Sequence, residues 1–183
     1  MMNEVPEQPA AVSSFPPIIG SAPRILILGS MPGERSLAAN QYYAHPRNAF
    51  WPIMGRILGF DPDIVYAERL QILMNSGIAL WDVLQSCVRR GSLDASIANG
   101  SRTLNDFATL FRKFLEIKTI CFNGAEAERS FIRFVEPKLQ LRGTACIRLP
   151  STSPAHASIS FERKLAQWHH ALRPALTSRQ TLP

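Results

Sequence analysis

Residues 29 to 51, GSMPGERSLAANQYYAHPRNAFW, put glycines and prolines, two adjacent tyrosines, a histidine and two asparagines into one short stretch. Few packed cores need that mixture in so little chain. GSMPG follows an apolar run, RILILG, so it reads as a tight turn where the backbone can approach a ligand closely. It is neither GxGxxG nor GxxxxGK[ST], and no lysine follows, which makes a nucleotide-phosphate loop a poor reading. Two later stretches share its polar, turn-rich character. Asn123-Gly124 closes the run KTICFNG, and STSPAHAS occupies residues 151 to 158. Taken alone, each also fits a plain helix-initiating turn.

The cysteines point away from metal or redox chemistry. Cys87, Cys121 and Cys146 are far apart and none lies in a CxxC pair. They read as reduced, buried thiols of a cytoplasmic protein, with no zinc knuckle, disulfide framework or iron–sulfur cluster. No metal and no other cofactor is expected. The net charge of +6, carried mostly by arginine, suits a polyanionic partner, although many basic proteins only carry solvated charges. Arg89 and Arg90 lie in a polar, basic segment and are candidate phosphate contacts, the alternative being a solvated loop. Asp94 in GSLDASI reads as a helix cap or a substrate contact.

Apolar runs alternate with helical patterns, and these elements must position the polar stretches. Strands are predicted at 24–29, 77–84, 118–124 and 145–151, the first a continuous apolar run that fits burial on both faces. Helices are predicted over 47–58, over 63–76 with Gly77 ending it, and over 103–116 with Thr103 as cap. Two more follow over 125–135 and 159–173, the last stopped by Pro174. Residues 85 to 101 read as a long loop. This order implies an α/β fold with a parallel sheet covered on both faces, and ligands of such folds sit beyond the carboxyl ends of the strands. Loops 29–48, 123–124 and 150–156 each follow a predicted strand, so they should meet at one edge. Residues 1–20 read as a loose, Pro-rich arm, 21–176 as one domain and 177–183 as a tail. No apolar run approaches the ~20 residues of a membrane span, and the amino terminus lacks the pattern of a signal peptide.

GSMPG, then QYYAHPRNAFW, then the distant STSPAHA, together resemble the uracil-DNA glycosylase superfamily, from about Arg24 to His170. The wording is most similar to its hypoxanthine-DNA glycosylase branch. The resemblance implies a three-layer α/β/α sandwich with a four-stranded parallel sheet. It implies a monofunctional DNA glycosylase of base excision repair, acting as a monomer on DNA that contains a deaminated base. Hypoxanthine, flipped out of the duplex, would be cut from its sugar by water, leaving an abasic site. A uracil or mismatch-specific glycosylase, a catalytically weak lesion-binding module and a small-molecule enzyme of flavodoxin-like shape are the rivals.

The resemblance also implies roles. The third residue of the first motif is Asp or Asn in the uracil and mismatch branches. Here it is Met31, which can neither activate nor orient water, so catalysis shifts to Asn48. A neutral amide is a poor base, but it can orient a water and accept one of its protons once an oxocarbenium-like sugar forms. The alternative for Asn48 is a cap on the following helix. Tyr43 takes the place of the aromatic ring that stacks on the extruded base, or is a core tyrosine with a paired hydroxyl. Asn123 would read the Watson–Crick edge of the base, or simply shape a turn. Ser30 and Met31 complete the implied base site. Gly33, Ser151, Ser153, Pro154, Ala155 and His156 form the implied DNA contacts, with Ser151 standing where the uracil enzymes carry a histidine. His45 more plausibly fixes its loop than reacts. No lysine lies in these motifs, so a covalent imine with the sugar is not expected.

Overall fold

The computed structural model describes residues 11–139, 141 and 143–177. In chain order the elements are β1 (Ala11–Ser13), β2 (Ile25–Gly29), α1 (Glu34–Ala39), α2 (Phe50–Leu58), α3 (Tyr66–Asn75), β3 (Ile78–Asp82) and β4 (Leu84–Val88). They continue with β5 (Thr103–Leu104), α4 (Phe107–Lys113), β6 (Thr119–Asn123), α5 (Ala125–Phe134), β7 (Ala145–Leu149) and α6 (Phe161–Thr177).

Four of the strands form one parallel sheet in the order β3-β2-β6-β7, at the four predicted places. Every residue of β2 and β3 is buried, because helices cover both faces. Alternation along the strands divides the core in two. Leu26, Leu28, Ile120 and Phe122 face Phe107 and Phe131 of α4 and α5. Ile25, Ile27, Leu80 and Cys121 face the opposite layer, where Phe50, Leu73 and Trp168 come from α2, α3 and α6. The result is the expected three-layer α/β/α arrangement.

The register brings three chemical residues together. Gly29 pairs with Asp82, and Leu28 pairs with Phe122, so β2, β3 and β6 end side by side on Gly29, Asp82 and Asn123. The loops that follow leave from the same carboxyl edge.

Several expectations are corrected. Residues 85–101 are not one long loop. Leu84 and Cys87 are buried, and β4 pairs with β1 and β5 in a small antiparallel sheet. Residues 11–20 are part of the fold: β1 lies on β4, and Ile18 pairs with Leu80. Residues 1–10 of the expected arm and 178–183 of the tail lie outside the described residues. Thr103 belongs to β5; the α4 cap is Asp106, whose Oδ1 accepts the Thr109 N–H at 3.0 Å. Pro174 does not stop α6, which runs to Thr177. It removes the bond that an N–H at this position would give the carbonyl four residues back, but only one turn of helix follows it, and there Arg24 Nε donates to the otherwise unsatisfied Ala175 carbonyl at 2.9 Å. Cys146 is exposed, whereas Cys87 and Cys121 are buried as expected. Among the described residues no helix is long and apolar enough to cross a membrane.

Candidate active site

The carboxyl edge of the sheet opens into a cavity of about 150 Å³, a volume of the order that admits one aromatic ring. Asn48, Tyr43 and Asn123 all line it. So do Ser30, Met31 and Gly33 of the first loop and Ser151, Ser153 and Pro154 of the last.

Asn48 stands just before α2. Its Oδ1 accepts the Phe50 N–H at 3.0 Å, and its own N–H donates to the His45 carbonyl at 2.8 Å. One acceptor site on Oδ1 and the Nδ2 hydrogens remain for the cavity. The cap reading therefore holds in modified form, as a bond to the first helical N–H. His45 Nδ1 accepts the Arg47 N–H at 3.1 Å, which leaves the ring proton on Nε2 and ties down the loop.

Tyr43 has φ +56°, a left-handed conformation that a residue with a bulky side chain rarely adopts. This bend lays its ring on Phe50, with centroids 4.0 Å apart and planes at 25°. Its hydroxyl is buried and has no hydrogen-bond partner among the described residues. Burial, with the nearby Asp82 charge, raises the pKa of that hydroxyl; the Asn123 side chain, close by but outside hydrogen-bond geometry, opposes the rise. Tyr42 is a packing residue: it is buried, its carbonyl accepts Trp51 Nε1 at 2.9 Å, and its ring meets Phe15 edge-on.

Asn123 is held by Thr152. The Thr152 N–H donates to Oδ1 and Nδ2 donates to the Thr152 Oγ1, both at 2.8 Å. A backbone N–H can only donate, so the amide orientation is determined. One Nδ2 hydrogen and one Oδ1 acceptor site remain. Thr152 also accepts the Ala49 N–H at 2.9 Å, so one buried threonine joins the end of β6 to the Asn48 loop. The following Gly124 has φ +102°, and a methyl there would meet the Ser151 Cβ at 3.0 Å. Glycine is needed for the two loops to touch.

The last loop is a ladder of serines. Ser151 Oγ accepts the Ser153 N–H and Ser153 Oγ accepts the Ala155 N–H, each at 3.2 Å. Both hydroxyls keep a hydrogen to donate outward. From behind, α6 pins the loop: Trp168 Nε1 donates to the Pro150 carbonyl at 3.0 Å and Lys164 Nζ to the His156 carbonyl at 2.7 Å. Ala155 is exposed and His156 half-buried beside the cavity.

Arg89 is corrected. It is 4% exposed, so its guanidinium cannot meet a phosphate. Its Nη2 donates to the Pro32 carbonyl at 2.5 Å, and its Nη1 lies 4.0 Å from Asp94 Oδ1. It clasps the segment after β4 to the first loop. Arg90 is exposed on that segment. Asp94 is not a cap: it is the first residue of a single 3-10 turn, it lines the cavity, and Ser30 Oγ donates to its Oδ1 at 2.7 Å. Burial raises the Asp94 pKa, and the Ser30 hydrogen bond opposes the rise.

Sequence reasoning missed Asp82. It is 3% exposed, lines the cavity and accepts Ser14 Oγ on Oδ2 at 3.2 Å. Burial pushes its carboxyl up to about 7; Ser14 and Arg89 oppose the shift, and the Asp94 charge adds to it. A lone carboxylate closing the apolar run IALWD was the available signal. Its neighbour Gly29 has no room for a side chain, since a methyl there would lie 2.5 Å from Asp82 Oδ1 and 3.3 Å from the Tyr43 hydroxyl. Gly29→Ala is expected to destabilise the protein by about 1–3 kcal/mol through overpacking. A thermal melt checks this, and an unchanged melting temperature would show that Asp82 can step aside.

A parallel α/β sheet whose carboxyl edge holds a ring-sized slot, lined by an aromatic ring, amides and an acid, has the architecture of an α/β protein with room for one flat ring. The chain belongs to the uracil DNA glycosylase superfamily, whose family model matches residues 16–174. It is thus a DNA glycosylase, and DNA is its substrate. Two relatives, each named hypoxanthine DNA glycosylase, come from Methanosarcina acetivorans and Methanosarcina barkeri. Each is 36% identical over 160 residues, covering 87% of this chain and 96% of the relative. A solution structure from Methanosarcina acetivorans, described as a candidate uracil DNA glycosylase, superposes with a TM-score of 0.76 at 32% identity. That match covers 91% of this chain and 99% of the other.

Proposed function

We propose that this protein hydrolyses the N-glycosidic bond of deoxyinosine in DNA, releasing hypoxanthine and leaving an abasic site for base excision repair. The observation that carries this reading is the convergence of Tyr43, Asn48 and Asn123 on one ring-sized cavity. The two relatives named for hypoxanthine support the choice of base.

The glycosidic bond is inaccessible inside the duplex, so the nucleotide swings out at a cost of a few kcal/mol, less for a mispaired base. Arg35 at the cavity rim and the outward hydroxyls of Ser151 and Ser153 are placed to offset that cost at the phosphates. The base enters beside the Tyr43 ring, whose orientation Phe50 sets. Asn48 uses the acceptor site that Phe50 leaves free to hold a water near C1′. The bond to the base breaks first, and the water then meets an oxocarbenium-like sugar. The cavity-lining residues include no lysine, which fits water rather than an amine as nucleophile.

The test is a duplex with a single deoxyinosine. Incubation followed by alkali is expected to cleave the strand at that site. No cleavage by protein that binds the duplex would refute the activity. A uracil-containing duplex belongs in the same panel, because the solution structure at 32% identity is described for uracil.

A further inference from the structure

We propose that the carboxyl group of Asp82 is a further catalytic residue, which hydrogen-bonds the bound base and protonates it as the glycosidic bond breaks. The inference rests on the glycosylase reading above.

The geometry is that of a built floor. Asp82 ends β3 in register with Gly29 of β2, and its Oδ1 stands over the space a side chain would fill there. The Tyr43 hydroxyl flanks the same point, buried and without a hydrogen-bond partner among the described residues. A buried unpartnered hydroxyl is unfavourable. A base lying over Gly29 would supply that partner. Asp82 Oδ2 is braced by Ser14, so the amino-terminal segment holds the acid in position. Other polar groups of the cavity are partly engaged, and none of them is a carboxyl held beside Gly29. Ser151 and Ser153 accept backbone N–H groups, Asn123 is paired with Thr152, and His45 Nδ1 is occupied.

In the step itself the C1′–N9 bond breaks and its electron pair passes into the purine. The Asp82 proton moves to a ring nitrogen of the base, which departs neutral instead of as an anion. Water adds to C1′, and the proton it loses restores the Asp82 carboxyl through solvent. A carboxyl that burial keeps protonated up to about 7 has its proton available at neutral pH. The groups facing it are Tyr42 and Tyr43 from the loop before α2, Ser14 from the amino-terminal segment, and Asp94 with Arg89 from the segment after β4. His45 shares the cavity.

The experiment measures single-turnover base release from a deoxyinosine duplex between pH 5.5 and 9. The wild type is expected to lose rate tenfold per pH unit above neutrality. Asp82→Asn, close in shape, should be slower by about 10²-fold or more at pH 6, with the alkaline fall gone. Its melting temperature should be no lower than that of the wild type, and its binding to an abasic duplex should be preserved. Ser14→Ala removes a hydrogen bond that favours the carboxylate, so the alkaline limb should move to higher pH. An Asp82→Asn protein with wild-type rate, or one that keeps the alkaline limb, overturns the inference. Should that variant fail to fold, an unmoved limb in Ser14→Ala overturns it equally. A wild type that releases no base overturns both this inference and the activity, whereas an active wild type with an indifferent Asp82→Asn overturns this inference alone.

Discussion

Asn48→Ser is expected to melt close to the wild type yet release base slower by about 10²–10³-fold, the range of a lost proton-handling group. The two effects separate because Asn48 has two tasks. Its Oδ1 accepts the Phe50 N–H at 3.0 Å and so starts α2. Serine is as good as asparagine in that kind of position, so the helix start survives. The remaining acceptor site and Nδ2 face the cavity, and the shorter serine cannot reach a water held there. Asn48→Ala removes both tasks. It should lose a similar amount of activity and about 1 kcal/mol of stability, or roughly 2–4 °C in melting temperature. Thermal melts and single-turnover assays of both variants decide the matter. Full activity in Asn48→Ser would show that the amide only caps the helix, and catalysis would have to be sought elsewhere in the cavity.

The pH dependence of stability should carry the mark of Asp82 as well. The unfolded carboxyl titrates near 3.8 and the folded one near 7. Between those values the folded chain binds more protons than the unfolded one. Stability contributed by the neutral carboxyl is therefore present at low pH and lost as pH rises through this window, levelling off above neutrality. The gap corresponds to on the order of 4 kcal/mol. Asp82→Asn, which cannot ionise, should match the wild type near pH 4 and exceed it at pH 8 by several degrees of melting temperature. Melting curves collected from pH 4 to 8.5 for both proteins provide the check. Parallel curves would mean that Asp82 is already ionised in the folded protein at low pH. A buried acid that weakens the fold at working pH is the kind of cost retained at a functional site.

The legibility of the site follows the range of the physics involved. The first loop, Asn123-Gly124 and the serine loop could be placed on one edge because a parallel sheet sends every strand's carboxyl end the same way. Tyr43, Asn48 and Asn123 do share a cavity. Asp82 stayed hidden because it closes a run otherwise indistinguishable from core. Arg89 was misplaced for the converse reason: a charge in a polar segment looks solvated until its loop folds over it. The Asn123 amide was legible as a residue at the site, whereas its pairing with Thr152, 29 positions away, was not.

The amino-acid sequence alone determined the layered fold. Continuous apolar runs must be covered on both faces, and the helical repeats between them supply the cover. It also determined the edge on which the chemistry lies and the three loops that build it. Only the tertiary structure decided which polar groups are dry, because burial depends on segments that meet from afar. The small sheet joins Ala11 to Val88, and Ser14 reaches Asp82 across 68 positions, pairings that no local period encodes. The segments that meet there bury one carboxyl, which pushes its titration upward against the Ser14 hydrogen bond, and fold one arginine into a clasp; water excluded by packing is the reason for both.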